Sequence, residues 1–170
     1  MTISELTNKV QELAYQYERQ YGGCTQCVVG AYKTALRTIS DDVFRAATGL
    51  AGGIGLTGGS CGALAGGVLV ISIFLGRDYE NFADPERVRF KTFKLAARLV
   101  EHYEQEYGST LCRDIQTKLM GRFFNLWDGE DYKKFLAAGG HEDKCPSVCA
   151  NAAKWIAEIL ADEGLLKRWE

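Results

Sequence analysis

A chain of 170 residues, 46% of them apolar, has enough nonpolar surface to bury one core. Its net charge of −2, with Lys and Arg interleaved among Asp and Glu, leaves no basic stripe and excludes the common nucleic-acid surfaces. The opening "MTISELTNKVQEL" has no basic start followed by an apolar run, so secretion is not expected and a reducing, cytoplasmic setting is. Six cysteines in such a setting need a reason other than structural disulfides.

Helical periodicity runs through almost the whole chain. Ile3, Leu6, Val10, Leu13, Ala14 and Tyr17 recur at steps of three and four, and "YGG" stops that helix at Gly22. Val28, Ala31, Tyr32, Ala35 and Leu36 form the stripe of a second helix. Ser40 is placed to cap a short third one through "DDVFRAATGL". A glycine-rich stretch, "GGIGLTGGSCGALAGG", then leads into an apolar helix, with Ser60 as its expected N-cap and Gly76 as its end. Asp84 and Pro85 read as an N-cap followed by proline at the first helical position. The stripe after them is Val88, Phe93, Ala96, Leu99, Val100, Tyr103 and Tyr107, up to Gly108. Ser109 is expected to start a helix through "TLCRDIQTKLM", and a shorter helix follows Gly129. The last starts at Pro146 with Val148, Ala152, Ile156 and Ile159 as its stripe. No alternating strand appears. The expected fold is all-α: residues 1–170 as one bundle of seven or eight helices around a glycine-rich central helix.

Two tempting readings fail on context. Gly53, Gly55 and Gly58 satisfy G-x-G-x-x-G, but a helical stretch precedes them and no parallel-sheet pattern follows, so the dinucleotide fingerprint lacks its strand. No charge occurs from Ala46 to Gly76, yet the apolar run from Cys61 to Leu75 is shorter than the roughly 20 residues that span a bilayer. A buried helix is expected there, with no membrane insertion.

The cysteines carry the functional signal. Cys24, Cys61, Cys112 and Cys145 each fall within the first turn of an expected helix, where unpaired N–H groups and the macrodipole favour a thiolate. If those helix starts meet, the four thiols suit an iron–sulfur cluster or another soft metal centre. Gly58, Gly59, Gly62 and Gly66 would then let backbone and neighbouring helices close around Cys61, and the amides around Gly58 to Gly62 would donate to sulfur. A rival grouping pairs Cys24 with Cys27 and Cys145 with Cys149, the spacing of a zinc site. A third reading is thiol–disulfide exchange through a low-pKa Cys24 or Cys61. A fourth is a binding or dimerisation module whose cysteines only pack, with Gly58, Gly62 and Gly66 providing close helix contact, within one chain or in a homodimer. His141 in "GGHEDK" reads as a solvated loop residue with a ligand role as the alternative, and His102 as surface or rim. Asp41, Asp42 and the acids of "DGEDY" read as helix-start charges, not as a catalytic pair. No Ser-His-Asp elbow, P-loop or H-E-x-x-H is present.

These residues also carry a family resemblance. Cys61-Gly62-Ala63-Leu64-Ala65-Gly66 resembles the CGAxxG signature of the C_GCAxxG_C_C family, whose members are described as redox-active. "YGGCTQCVVGAY" is similar to that family's first cysteine segment, "YGSTLCRDI" to a later one and "KCPSVCANAAKWIAEIL" to the closing one. The resemblance spans about residues 10 to 163. It implies a small helical protein whose characteristic cysteines are Cys24, Cys61, Cys112 and Cys145, with a redox role or an iron–sulfur cluster and an unnamed redox partner. Cys27 and Cys149 stand outside that pattern as auxiliary thiols.

Overall fold

The computed structural model describes residues 1–166 and is all-helical, with eight α-helices among the described residues and no strand. They are α1 (Ile3–Tyr21), α2 (Cys24–Leu36), α3 (Asp41–Ala46), α4 (Gly62–Leu75), α5 (Val88–Tyr107), α6 (Cys112–Met120), α7 (Gly129–Ala137) and α8 (Cys145–Asp162). A short π-helical stretch, 140–144, runs directly into α8.

Helix α8 is the axis of the packing. Its small-residue face, with Cys149, Ala152, Ala153 and Ala157 buried beside Val148, Ile156 and Ile159, lets α1, α2, α4 and α5 all approach it. Against it α1 lays Leu6, Val10 and Ala14, and α2 lays Val28, Ala31 and Tyr32, whose hydroxyl donates to the Ala153 carbonyl at 2.8 Å. Helix α4 is held from two sides. A methyl group on Gly66 would lie 2.7 Å from the Thr25 carbonyl oxygen, and one on Gly67 would lie 2.5 Å from Leu99 Cδ2. Glycine is therefore kept in α4, despite a cost of roughly 1 kcal/mol per position relative to alanine, because it sets the helix spacing.

Several helix ends differ from the sequence expectation, each for a visible reason. Ser40 does cap α3, accepting from the Val43 amide at 3.3 Å. Ser60 does not cap α4: it forms an isolated antiparallel bridge with Leu111, and Cys61 takes the N-cap position. Asp84 is not the residue next to the helix start. It sits at φ +52, α5 begins at Val88, and the Asp84 carboxylate reaches forward to accept from the Val88 and Arg89 amides. Ser109 likewise precedes α6 by three residues; its hydroxyl accepts from the Leu111 amide and donates to Asp114, so the helix starts at Cys112. In the α5 stripe Phe93 points outward, 59% exposed, and Thr92 and Leu95 take the inner face. No helix of the described residues is long and apolar enough to cross a membrane.

Candidate functional site

The corrected helix starts make the placement of the cysteines sharper than the sequence reading had it. Cys24, Cys112 and Cys145 are each the first residue of a helix, and Cys61 is an N-cap. The four helix starts meet at one end of the bundle. Cys24, Cys61, Cys112, Cys145 and Cys149 line one cavity of about 30 Å³, closed by Ala63, Ile115, Gln116 and Val148. That volume is on the order of one water molecule and far below the roughly 300 Å³ of an organic-ligand pocket. The sulfurs surround this small void rather than meeting at a point: among the described residues no three His, Cys, Asp or Glu side chains form a ready single-ion site.

The glycine stretch is what brings Cys61 and Cys112 to the cavity. Residues 52–56 are consecutively left-handed, with φ from +59 to +77, and fold the loop back on itself through Gly58 N–H to Gly52 C=O and Gly59 N–H to Gly53 C=O. The folded loop presents its Gly59 carbonyl to the Cys112 amide at 2.6 Å and its Gly58 carbonyl to the Arg113 amide at 3.2 Å. Each expected glycine has its contact. A methyl on Gly62 would lie 2.3 Å from Cys24 Sγ, one on Gly58 would meet Phe123 at 2.9 Å, and one on Gly59 would meet the Gly53 carbonyl at 3.0 Å. Of the amides expected to reach sulfur, those of Gly58, Gly59 and Cys61 are consumed by Gly52, Gly53 and Thr110. The Gly52 amide faces Cys24 instead, and the Ala63 and Leu64 amides face Cys61.

Electrostatics reverse the sequence expectation of thiolates. Burial pushes the thiols of Cys24, Cys61, Cys145 and Cys149 up, and Cys112 is pushed up to about 12 by burial and then by Cys61. Desolvation outweighs the helix-start amides. The next cause for Cys24, Cys145 and Cys149 is Glu18, which sequence reasoning missed: a carboxylate on the inner face of α1, 2% exposed, whose Oε2 has no hydrogen-bond partner. Its position was legible as one step past the α1 stripe, at i+4 from Ala14, but a glutamate there reads as solvated. Gln116 was also missed. Its amide donates to Cys112 Sγ at 3.4 Å and accepts from the Phe124 amide, which fixes that thiol's orientation. Thr25 Oγ1 is buried without a partner beside Gly62.

The remaining groups sort by place. Cys27 does not pair with Cys24 on the cavity. It faces a separate open cleft with Tyr17, Tyr21 and Phe44, donates to the Gly22 carbonyl at 3.1 Å, and has its thiol pushed up by burial and by Glu18. The zinc grouping therefore loses one of its pairs. His141 is not a solvated loop residue: its Nδ1 lies 3.1 Å from Glu18 Oε1 and its ring packs edge-on against Phe135. His102 lies at the rim, stacked on Trp155. Asp128 caps α7 through the Asp131 amide, as a helix-start charge does.

Residues 23–159 match the family model described as "Putative redox-active protein (C_GCAxxG_C_C)". The chain belongs to this family. The match starts one residue before Cys24 and takes in Cys61, Cys112 and Cys145, so the four cysteines that meet around the cavity all lie inside the C_GCAxxG_C_C region, as do Cys27 and Cys149. Neither curated proteins nor solved structures give a match.

Proposed function

We propose that Cys24, Cys61, Cys112 and Cys145 hold an iron–sulfur cluster, and that this C_GCAxxG_C_C protein uses it for electron transfer or redox sensing. One observation carries the reading: four thiols from four distant helix starts are gathered around one buried void. Metal binding would place a cation among thiols that burial keeps protonated and would release the thiol protons. The donor set fits in kind, since thiolates are the ligands that iron–sulfur clusters take.

Bound there, such a cluster would supply one-electron chemistry at a potential set by burial, net charge and hydrogen bonds to sulfur. This chain's residues act on those levers. The Gly52, Ala63 and Leu64 amides favour negative charge on Cys24 and Cys61. Glu18 opposes added negative charge across the cavity, Gln116 orients Cys112, and the Tyr103 hydroxyl stands 3.9 Å from Cys61 Sγ. Metal-free thiol exchange fits less well, because every cysteine thiol is pushed up rather than down.

The test is the visible spectrum with iron, acid-labile sulfide and zinc content of protein purified without oxygen. Stoichiometric iron and sulfide with broad visible absorbance are expected, lost in Cys61→Ser and retained in Cys27→Ser. Zinc alone would replace the cluster by a metal–thiolate centre. Colourless, metal-free protein that stays so after reconstitution with ferrous iron and sulfide would sink the proposal.

A further inference from the structure

Among the described residues, α8 alone brings two cysteines to the cavity. Cys149 lies four residues after Cys145, so the two side chains stand on one face of the helix, roughly 5–6 Å apart at Cβ, and both residues line the void. Cys24 also has a second cysteine in its first turn, but Cys27 turns to the cleft of Tyr17 and Phe44. Helices α4 and α6 hold no further cysteine beyond Cys61 and Cys112 at their starts. Five thiols thus surround a void whose proposed occupant takes four.

The two α8 cysteines differ in depth. Cys145, the first residue of the helix, is half-buried, whereas Cys149 is fully buried one turn further in. The Cys149 thiol donates to the Cys24 carbonyl at 3.8 Å, a long and weak contact that leaves the sulfur lone pairs free. Packing asks for no thiol there, since the next small inward positions of α8, Ala152, Ala153 and Ala157, are filled by methyl groups. Past the first turn, Cys149 is the position on that face that carries a soft-metal donor. We infer that Cys149 is an alternative ligand to Cys145, so that the centre keeps four sulfurs whichever of the two α8 thiols is bound. The inference rests on the cluster reading and deepens its sensing side, because two sulfur positions one helical turn apart give the site two ligation states. The exchange moves no electron. The Cys149 thiol gives up its proton as its sulfur binds iron, and the Cys145 sulfur takes one up as it leaves, so protons and charge balance within α8.

The experiment compares the full chain, purified without oxygen, with alanine variants, since alanine offers no oxygen atom to stand in for the lost sulfur. The readouts are iron and acid-labile sulfide content, the electron paramagnetic resonance spectrum of the reduced protein, and helicity as a check on folding. Cys145→Ala should keep about half or more of the parent's iron with an altered resonance spectrum, and the double variant Cys145→Ala, Cys149→Ala should lose about tenfold. Cys24→Ala should be as empty as the double variant, because its neighbour Cys27 faces another cleft. Cys149→Ala should hold iron like the parent but lose it several-fold faster in air, a measurement that stands even where Cys145→Ala does not fold. A folded Cys145→Ala as empty as the double variant, a double variant as full as Cys145→Ala, or equal loss in air with and without Cys149 would overturn the assignment. Parent protein that holds no iron sinks the proposed function and this inference together; parent protein with iron beside an empty, folded Cys145→Ala sinks this inference alone.

Discussion

The two ends of α4 are built from opposite materials. At its start, Cys61 and Gly62 lie against Cys24, Thr25 and Ala51, and the local polar groups, Glu18 Oε2 and Thr25 Oγ1, are buried without partners. At its finish, about 20 Å away at 1.5 Å per residue, polar groups have their bonds and apolar ones face outward. Thr92 donates its hydroxyl to the Leu75 carbonyl, Asp84 binds the Val88 and Arg89 amides and the Arg89 guanidinium, and Phe82, Phe90 and Phe93 stand exposed with Arg77 over one ring and Arg87 and Arg89 over another. One end leaves polar groups unsatisfied around sulfur, and the other satisfies them and has no sulfur. Buried polar groups normally find partners, so these exceptions set the cysteine end of α4 apart from the other.

The largest effect that sharpens this contrast should come from Gly66→Ala. The added methyl would meet the Thr25 carbonyl oxygen at 2.7 Å, a backbone atom that cannot rotate away, so a loss of about 3 kcal/mol is expected in urea unfolding. A variant as stable as the parent would show that the glycine face is not what sets the helix spacing. At the far end Asp84→Ala removes a buried cap and ion-pair partner, which should cost about 2 kcal/mol by the same measurement.

A pH series from 7 to 10 reads the buried thiols. Thiols pushed up in the fold hold their protons over a range where the unfolded chain's thiols, near their ordinary pKa of about 8.5, have lost theirs. The native state then binds more protons, so the metal-free protein should be unaffected at pH 7 and should lose stability as pH rises above about 8.5. Thermal unfolding from pH 7 to pH 10 tests this, and a flat profile would contradict the buried, protonated thiols. Glu18→Gln, which removes the charge that adds to burial in pushing the thiols up, should speed iodoacetamide alkylation of the cavity cysteines a few-fold in metal-free protein. An unchanged rate would remove Glu18 from the site. The smallest effect belongs to the aromatic end: Phe93→Ala, on an outward ring, should shift stability by no more than about 0.5 kcal/mol.

Much of this contrast is local and therefore readable along the chain. The helices, the stops at Gly22, Gly76 and Gly108, the Ser40 cap and the absence of a Rossmann strand follow from periodicity and from what glycine does within one turn. So does the placement of four cysteines at helix starts, where position along the chain is itself the signal. The ends that shifted, at Ser60, Asp84 and Ser109, moved because a bridge, a reach of four residues and a hydroxyl turn each outweighed the nearest capping position.

What the chain alone determined is thus the set of helices and which residues begin them, since a helix start depends on bonds within a few residues. Only the tertiary structure decided that four of those starts converge, that Cys149 joins the cavity while Cys27 turns to another cleft, and that Glu18 and His141 face each other inside. It also decided the sign of the thiol shifts. The amide field at a helix start is local, but desolvation is the sum of everything packed around a sulfur, and that sum exists only once α1, α2, α4, α6 and α8 have come together.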